Sequence, residues 1–175
     1  PAGSDVLLGT TIGSWRVARL LGTGGMGKVY TAVQPQIGAR VAIKVLKREC
    51  AADADVVERF FNEARAVNLI KHEAIIDVID LGTLPTGSPY IVMELLEGQT
   101  LKHRLDSRAL PIGTLLDLAI QIADALDAAH EKGIIHRDLK PGNILLESHD
   151  GKPVPKVIDF GLAKATTGLQ LTDQS

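Results

Sequence analysis

Gly22-Thr23-Gly24-Gly25-Met26-Gly27, followed by Lys28-Val29-Tyr30-Thr31-Ala32-Val33, is the stretch on which the fold turns. The hexapeptide carries GxGxxG, a pattern that alone fits a glycine-rich surface turn as well as a nucleotide loop. Its flanks narrow the choice. A dinucleotide fingerprint needs a helix after the glycines, whereas residues 28–33 alternate in the manner of a strand. Residues 15–21 ahead of the glycines are strand-like too, which leaves a strand-turn-strand flap. Such a flap can lay backbone N–H groups over phosphates, because a residue without Cβ lets the main chain come close.

Outward from the flap, residues 40–46 (Arg-Val-Ala-Ile-Lys-Val-Leu) continue the β pattern and predict an antiparallel meander. The period then changes. Val56, Phe60, Val67 and Ile70 fall at helical spacing between residues 53 and 70, with Asp53 available as the N-cap. Residues 75–81 and 90–93 return to strand character across Thr83-Leu84-Pro85-Thr86-Gly87-Ser88-Pro89, which is turn chemistry. The polar stretch Glu97-Gly98-Gln99 is the candidate hinge. Beyond it Leu115, Leu118, Ala119, Ile122, Ala123, Leu126 and Ala129 form an apolar helical stripe over 114–132, with Thr114 and Asp117 at capping-box spacing and Gly133 as terminator. Short strands at 144–146 and 156–158 around His149-Asp150-Gly151 read as a hairpin. The expected class is α+β in two lobes: residues 1–94, a hinge at 95–98, and residues 99–175.

Composition limits the partners. With 175 residues, 45% hydrophobic and 23% charged, the chain suits one domain or two small lobes and is not a disordered or low-complexity polymer. A net charge of -2 and a pI near 6.2 provide no basic field for nucleic acid, so any anion must be bound locally. The longest apolar run, Tyr90 to Met93, has four residues, and no membrane segment is expected. One cysteine, Cys50, excludes an internal disulfide and fits a reducing compartment.

Three features carry chemistry. Lys44 stands between Ile43 and Val45 in an apolar strand, where an outward-facing lysine would be the ordinary explanation. Glu63 shares the stripe of Val56, Phe60, Val67 and Ile70, and a carboxylate there needs a partner, for which Lys44 is the economical candidate. His136-Arg137-Asp138-Leu139-Lys140-Pro141-Gly142-Asn143 is the densest polar constellation in the chain. Asn143 precedes the first hairpin strand and Asp159 follows the second, so antiparallel pairing brings them close. Two such oxygen ligands suit Mg²⁺, and Asp138, five residues before Asn143, can face a substrate hydroxyl beside them.

Taken in order, the glycine loop with Val29, Val41-Ala42-Ile43-Lys44, Glu63, His136-Arg137-Asp138 with Asn143, and Asp159-Phe160-Gly161 resemble the eukaryotic-type (Hanks-type) protein kinase family. Lys140 is similar to the serine/threonine branch, and Ala129-His130-Glu131-Lys132-Gly133-Ile134-Ile135-His136 to its bacterial members. The resemblance implies a two-lobed kinase fold and transfer of the ATP γ-phosphate to protein Ser or Thr hydroxyls. It implies that Gly22, Gly24 and Gly27 cover the phosphates, that Lys44 paired with Glu63 holds them, and that Asn143 and Asp159 bind Mg²⁺. Asp138 orients the attacking hydroxyl and Lys140 steadies the transferred group. Val29, Ala42 and Leu145 sandwich adenine, behind which Met93 stands as gatekeeper, with Glu94 and Leu96 offering backbone groups to the base edge. Val67, Ile79, His136 and Phe160 match a stacked column, and Arg137 matches a reader of activation-segment phosphate, for which Thr172 and Ser175 are the preferred sites and Thr166 and Thr167 the weaker ones.

Two departures stand out. His72-Glu73-Ala74-Ile75 lacks the proline that often follows this histidine, and the sequence stops before the rest of the activation segment, the A-P-E motif and later helices. A truncated helical lobe is therefore expected to be catalytically poor alone and prone to self-association or dimerisation. A nucleotide-binding pseudokinase or scaffold is the rival reading, against which intact Lys44, Asp138, Asn143 and Asp159 weigh. The implied location is cytoplasmic, with any membrane anchor elsewhere in a parent protein.

Overall fold

Alternating β-branched and aromatic residues build the first half. The computed structural model describes residues 5–160, so Thr166, Thr167, Thr172 and Ser175 lie outside the described residues. Strands β1 (Thr11–Ile12), β2 (Trp15–Thr23), β3 (Gly27–Val33), β4 (Arg40–Leu46), β5 (Val78–Thr83) and β6 (Pro89–Glu94) form one antiparallel sheet ordered β1-β2-β3-β4-β6-β5. One face buries Val17, Tyr30, Val41, Ile43, Val45 and Val92. The opposite face packs Leu46 and Ile91 against Phe60 and Ala64 of a helix. At the flap, Gly24 N–H donates to the Gly27 carbonyl at 2.8 Å. A Cβ on Gly27 would lie 2.6 Å from the Val45 carbonyl oxygen, so only glycine lets β3 and β4 meet there.

Helix α1 (Arg48–Ala51) leads into α2 (Ala54–Leu69), whose N-cap Asp53 accepts the N–H of Asp55 at 2.9 Å and of Val56 at 3.3 Å. Phe60, Ala64 and Val67 are its buried residues. The strand expected at 75–81 begins only at Val78. Ile75 and Ile76 leave the large sheet instead: Ile75 bridges Val157 in parallel, and Ile76 N–H donates to the Val157 carbonyl at 3.2 Å. An apolar pattern identifies extended chain without saying which sheet it joins.

Past the link at 95–98 the chain forms β7 (Gln99–Thr100), α3 (Leu101–Ser107), α4 (Ile112–Glu131), a 3-10 turn at Pro141–Asn143, β8 (Ile144–His149) and β9 (Lys152–Val157). The three strands make a second antiparallel sheet ordered β7-β8-β9. The β8–β9 turn holds Asp150 at φ 51° and Gly151 at φ 77°, which suits a tight hairpin. Helix α4 starts at Ile112 with Pro111 as N-cap and no side-chain cap, so Thr114 and Asp117 do not form the expected capping box. Proline at the cap already directs the chain into the helix, and the start moves forward. Gly133 ends the region with φ 72° and its N–H on the His130 carbonyl at 2.8 Å.

The halves share a core. Val67, Ile70, Ala74 and Ile75 from the first pack with Ala125, Ala129, Val157 and Phe160 from the second. Gly98 allows a close approach at the edge of the second sheet, since a Cβ there would overlap the Leu146 backbone carbonyl, which cannot rotate away. Gly98→Ala is therefore expected to destabilise the chain by about 1–3 kcal/mol, read as a lowered urea midpoint at unchanged m-value.

Candidate active site

A cleft opens between the sheets. Leu21, Val29 and Ala42 of β2, β3 and β4 form its roof, Leu145 of β8 its floor, and Met93, Glu94, Leu95 and Leu96 its inner edge. The walls are aliphatic, and successive backbone groups of the link run along one side. A flat heteroaromatic ring with polar edges is the shape such a slot accommodates.

Lys44, Glu63, Asp159 and Phe160 also line this cleft. Strand alternation turns Lys44 inward from β4, where its side chain is 24% exposed and its Nζ lies 2.7 Å from Asp159 Oδ1. The expected Lys44–Glu63 pair is thus replaced by Lys44–Asp159, and no Lys44–Glu63 salt bridge occurs among the described residues. Asp159 leaves β9 with a left-handed φ of 54°, which turns its chain toward the lysine. Burial opposes the Lys44 charge, but the Asp159 and Glu63 carboxylates outweigh it and raise the lysine pKa. Glu63 is pushed up to about 7, chiefly by burial and further by Asp159, with Lys44 opposing.

A second cluster lies at Asp138. Lys140 Nζ is 2.7 Å from Asp138 Oδ2, and Asn143 Nδ2 donates to the Asp138 carbonyl at 2.9 Å and to Oδ2 at 3.2 Å. The 3-10 turn makes this possible by folding the chain back within five residues of Asp138. Ile158 N–H donates to the Asn143 carbonyl at 2.9 Å, so the hairpin does set Asp159 one residue from Asn143's backbone. With its Nδ2 committed to Asp138, Asn143 has Oδ1 to offer. That oxygen and the Asp159 carboxylate are the hard donors that Mg²⁺ takes, so the residues present fit that ion.

Beneath both clusters His136 stacks on Phe160, ring centroids 4.6 Å apart, while His136 Nε2 meets the Ile158 carbonyl at 3.3 Å. Burial lowers the His136 pKa, partly offset by that carbonyl. Phe160 shares its core with Val67 and with Val78, not with Ile79. Ile79 is 52% exposed. An irregularity between Val78 and Asp80 shifts the β5 register, and a one-residue slip exchanges the two faces of a strand.

Residues 15–174 match the protein kinase domain family. This chain belongs to the protein kinase family. It is 47% identical over 161 residues to the serine/threonine-protein kinase Pkn1 of Myxococcus xanthus, covering 91% of this chain and 23% of Pkn1. Against PknA of Mycobacterium tuberculosis identity is 41% over 168 residues, with 93% of this chain and 38% of PknA covered. The crystal structure of the Mycobacterium tuberculosis PknI kinase domain superposes with a TM-score of 0.76 at 34% identity, covering 91% of this chain and 64% of that one. The chain thus spans well under half the length of these curated relatives and about two thirds of a solved kinase domain. The fold is the two-lobed α+β kinase fold.

Sorted by position, Val29, Ala42, Lys44, Glu63, Met93, Glu94, Leu96, Leu145 and Asp159 meet at the kinase cleft. Asp138, Lys140 and Asn143 assemble beside it, and Gly22, Gly24 and Gly27 sit in the flap without lining it. Leu21 and Leu95 were missed, although an apolar residue directly before the first glycine was a usable signal. Arg137 adopts φ 59°, in the left-handed region that non-glycine residues seldom occupy.

Glu63 has a measurable pH signature. Its folded pKa of about 7 lies above the ordinary 4.5, so the folded kinase binds the extra proton and stability falls as pH rises between those values. The unfolding free energy of wild type minus that of Glu63→Gln should therefore decrease from pH 4.5 to 7 and level off above. A pH-independent difference would show that Glu63 stays ionised.

Proposed function

We propose that the protein containing this chain transfers the γ-phosphate of ATP to serine or threonine hydroxyls of proteins. The single observation that carries this reading is the pairing of two clusters, Lys44–Asp159 inside the cleft and Asp138–Lys140–Asn143 at its side. The curated relatives named as serine/threonine-protein kinases support the hydroxyl specificity. Residues 1–94 would act as the nucleotide lobe, 95–98 as hinge and 99–175 as the start of the helical lobe, with the site facing the cytoplasm.

On this reading adenine lies between Val29 and Ala42 above and Leu145 below, its edge against the backbone of Glu94 and Leu96, with Met93 closing the depth. The flap from Gly22 through Gly24 to Gly27 directs backbone N–H groups at the phosphates. Lys44, released from Asp159 when nucleotide enters, holds the α and β phosphates and turns to Glu63. Asn143 and Asp159 would hold Mg²⁺, which when bound neutralises phosphate charge. Asp138 accepts the proton of the attacking hydroxyl, and Lys140, already 2.7 Å from it, balances charge on the transferred group. Arg137 is assigned to a phosphorylated Thr or Ser of the later segment.

The experiment is transfer of labelled γ-phosphate from Mg-ATP to a protein acceptor by a chain extended through the whole catalytic domain, followed by phosphoamino-acid analysis. Label on Ser or Thr supports the reading. Nucleotide binding without transfer would leave the pseudokinase reading standing.

A further inference from the structure

Lys156 lies outside the nucleotide cleft, yet it is the only charged side chain of β9 turned into the seam between the two sheets. Its side chain is 13% exposed, and its Nζ sits 2.7 Å from Glu94 Oε1 and 3.5 Å from the Ile75 carbonyl. Glu94, whose side chain is 28% exposed, is the last residue of β6 before the hinge.

Three chain segments converge on this contact. The same Glu94 oxygen accepts the Asp77 N–H at 2.8 Å, and Glu94 N–H returns a bond to the Asp77 carbonyl at 3.0 Å. Segment 74–76 is in turn stitched to β9, with Val157 N–H on the Ala74 carbonyl at 2.7 Å and Ile76 N–H on the Val157 carbonyl at 3.2 Å. Lys156 therefore joins the end of β6, the loop after α2, and the strand that delivers Asp159. A cation largely withdrawn from water and held by one carboxylate and one carbonyl loses most of its compensation if the carboxylate moves. Losing the carboxylate therefore favours admitting water at this seam.

We propose that Lys156 is a positioning residue that clamps Glu94 and so fixes the hinge backbone on which the adenine edge is read; the nucleotide part of this inference rests on the kinase reading above. Glu94 commits its carboxylate Oε1 to Lys156 and to the Asp77 N–H, and the residue also lines the cleft. The clamp thus acts on nucleotide through the main chain from Glu94 to Leu96. It also transmits a change of lobe angle to Asp159, since β9 connects the two within three residues of Lys156. Neither Lys156 nor its Nζ touches the cleft, so the effect falls on nucleotide affinity and seam opening, not on phosphoryl transfer itself.

The test uses the full chain in two arms. In the first, amide hydrogen exchange is compared for wild type, Lys156→Met, Lys156→Arg and Glu94→Gln. Faster exchange at both 74–78 and 92–97 in Lys156→Met and Glu94→Gln, with β2 and β3 unchanged and protection partly restored in Lys156→Arg, supports the clamp. Wild-type exchange at these two segments in either neutral variant overturns it. Should Lys156→Met fail to fold, Glu94→Gln decides, because it keeps the acceptor for Asp77 N–H and removes only the charge.

In the second arm, Mg-ATP titration should give a dissociation constant about 3- to 10-fold weaker for Lys156→Met and Glu94→Gln. In a chain extended to the whole domain, KM for ATP should rise by the same factor with kcat nearly constant. Loosened exchange with unchanged ATP affinity would overturn the link to nucleotide. A chain extended to the whole domain that binds no ATP would sink the kinase reading, while the exchange arm still passes judgement on the clamp.

Discussion

Asp138→Asn, introduced into a chain extended through the whole catalytic domain, is expected to lower kcat by about 10²–10⁴-fold while Mg-ATP affinity is largely kept. The reason is local. Asn143 Nδ2 holds the Asp138 main-chain carbonyl at 2.9 Å, and that bond survives the substitution, so the loop keeps its shape. What disappears is the carboxylate proposed to take the hydroxyl proton and the charge facing Lys140 Nζ at 2.7 Å. Asp159→Ala is expected to abolish transfer and to weaken nucleotide binding as well, because it removes both the Lys44 counter-ion and the proposed metal donor. Label transfer by Asp138→Asn at the wild-type rate would reject the role assigned to that residue. An Asp159→Ala protein with unchanged Mg-ATP binding would reject the metal assignment.

The 175-residue chain alone is expected to self-associate and to turn over poorly. Helix α4 buries Leu118, Ala125 and Ala129 but leaves Ile112 77%, Leu116 59% and Ile120 67% exposed. These three recur every fourth residue and form one continuous apolar face, with Leu115 beside it. Leaving a few hundred Å² of such surface in water costs several kcal/mol at about 25 cal/mol per Å², which is comparable with a whole domain's stability of about 5–15 kcal/mol. This chain covers 64% of the PknI kinase domain chain, so further protein is available in that relative to cover the corresponding helix. Sedimentation velocity should show concentration-dependent oligomers that Leu116→Gln combined with Ile120→Gln reduces to monomer. A wild-type chain that stays monomeric and phosphorylates protein substrates briskly would show that neither association nor missing surface limits it.

Much of the cleft is legible in the amino-acid sequence. Its parts are announced by short-range rules: glycines between two strands, a lysine interrupting an apolar strand, a carboxylate on an apolar helical stripe, and a hairpin whose ends carry Asn143 and Asp159. The misreadings share a cause. The family resemblance points to Ile79 for the stacked column, whereas Val78 packs with Phe160 beside the irregularity in β5. Thr114 and Asp117 matched a capping box, but Pro111 had already started the helix. Glu63 was given Lys44 because one buried charge needs another, and Asp159 took the lysine at 2.7 Å.

Residue order and side-chain type alone set the flap, the antiparallel meander, the α2 helix with its Asp53 cap, the tight β8–β9 turn and the ionisable loop at Asp138. Each element is announced by local periodicity and turn chemistry, where backbone sterics leave few alternatives. Folding in three dimensions set the partners of every long-range charge. Lys44 could reach two carboxylates, and the left-handed turn at Asp159 selected one. Nothing in the local sequence around Lys156 names a partner, and the ion pair with Glu94 at 2.7 Å forms only where the two sheets meet. Such choices compare desolvation with Coulomb attraction at sites far apart in the chain, and that balance exists only once the sheets have met.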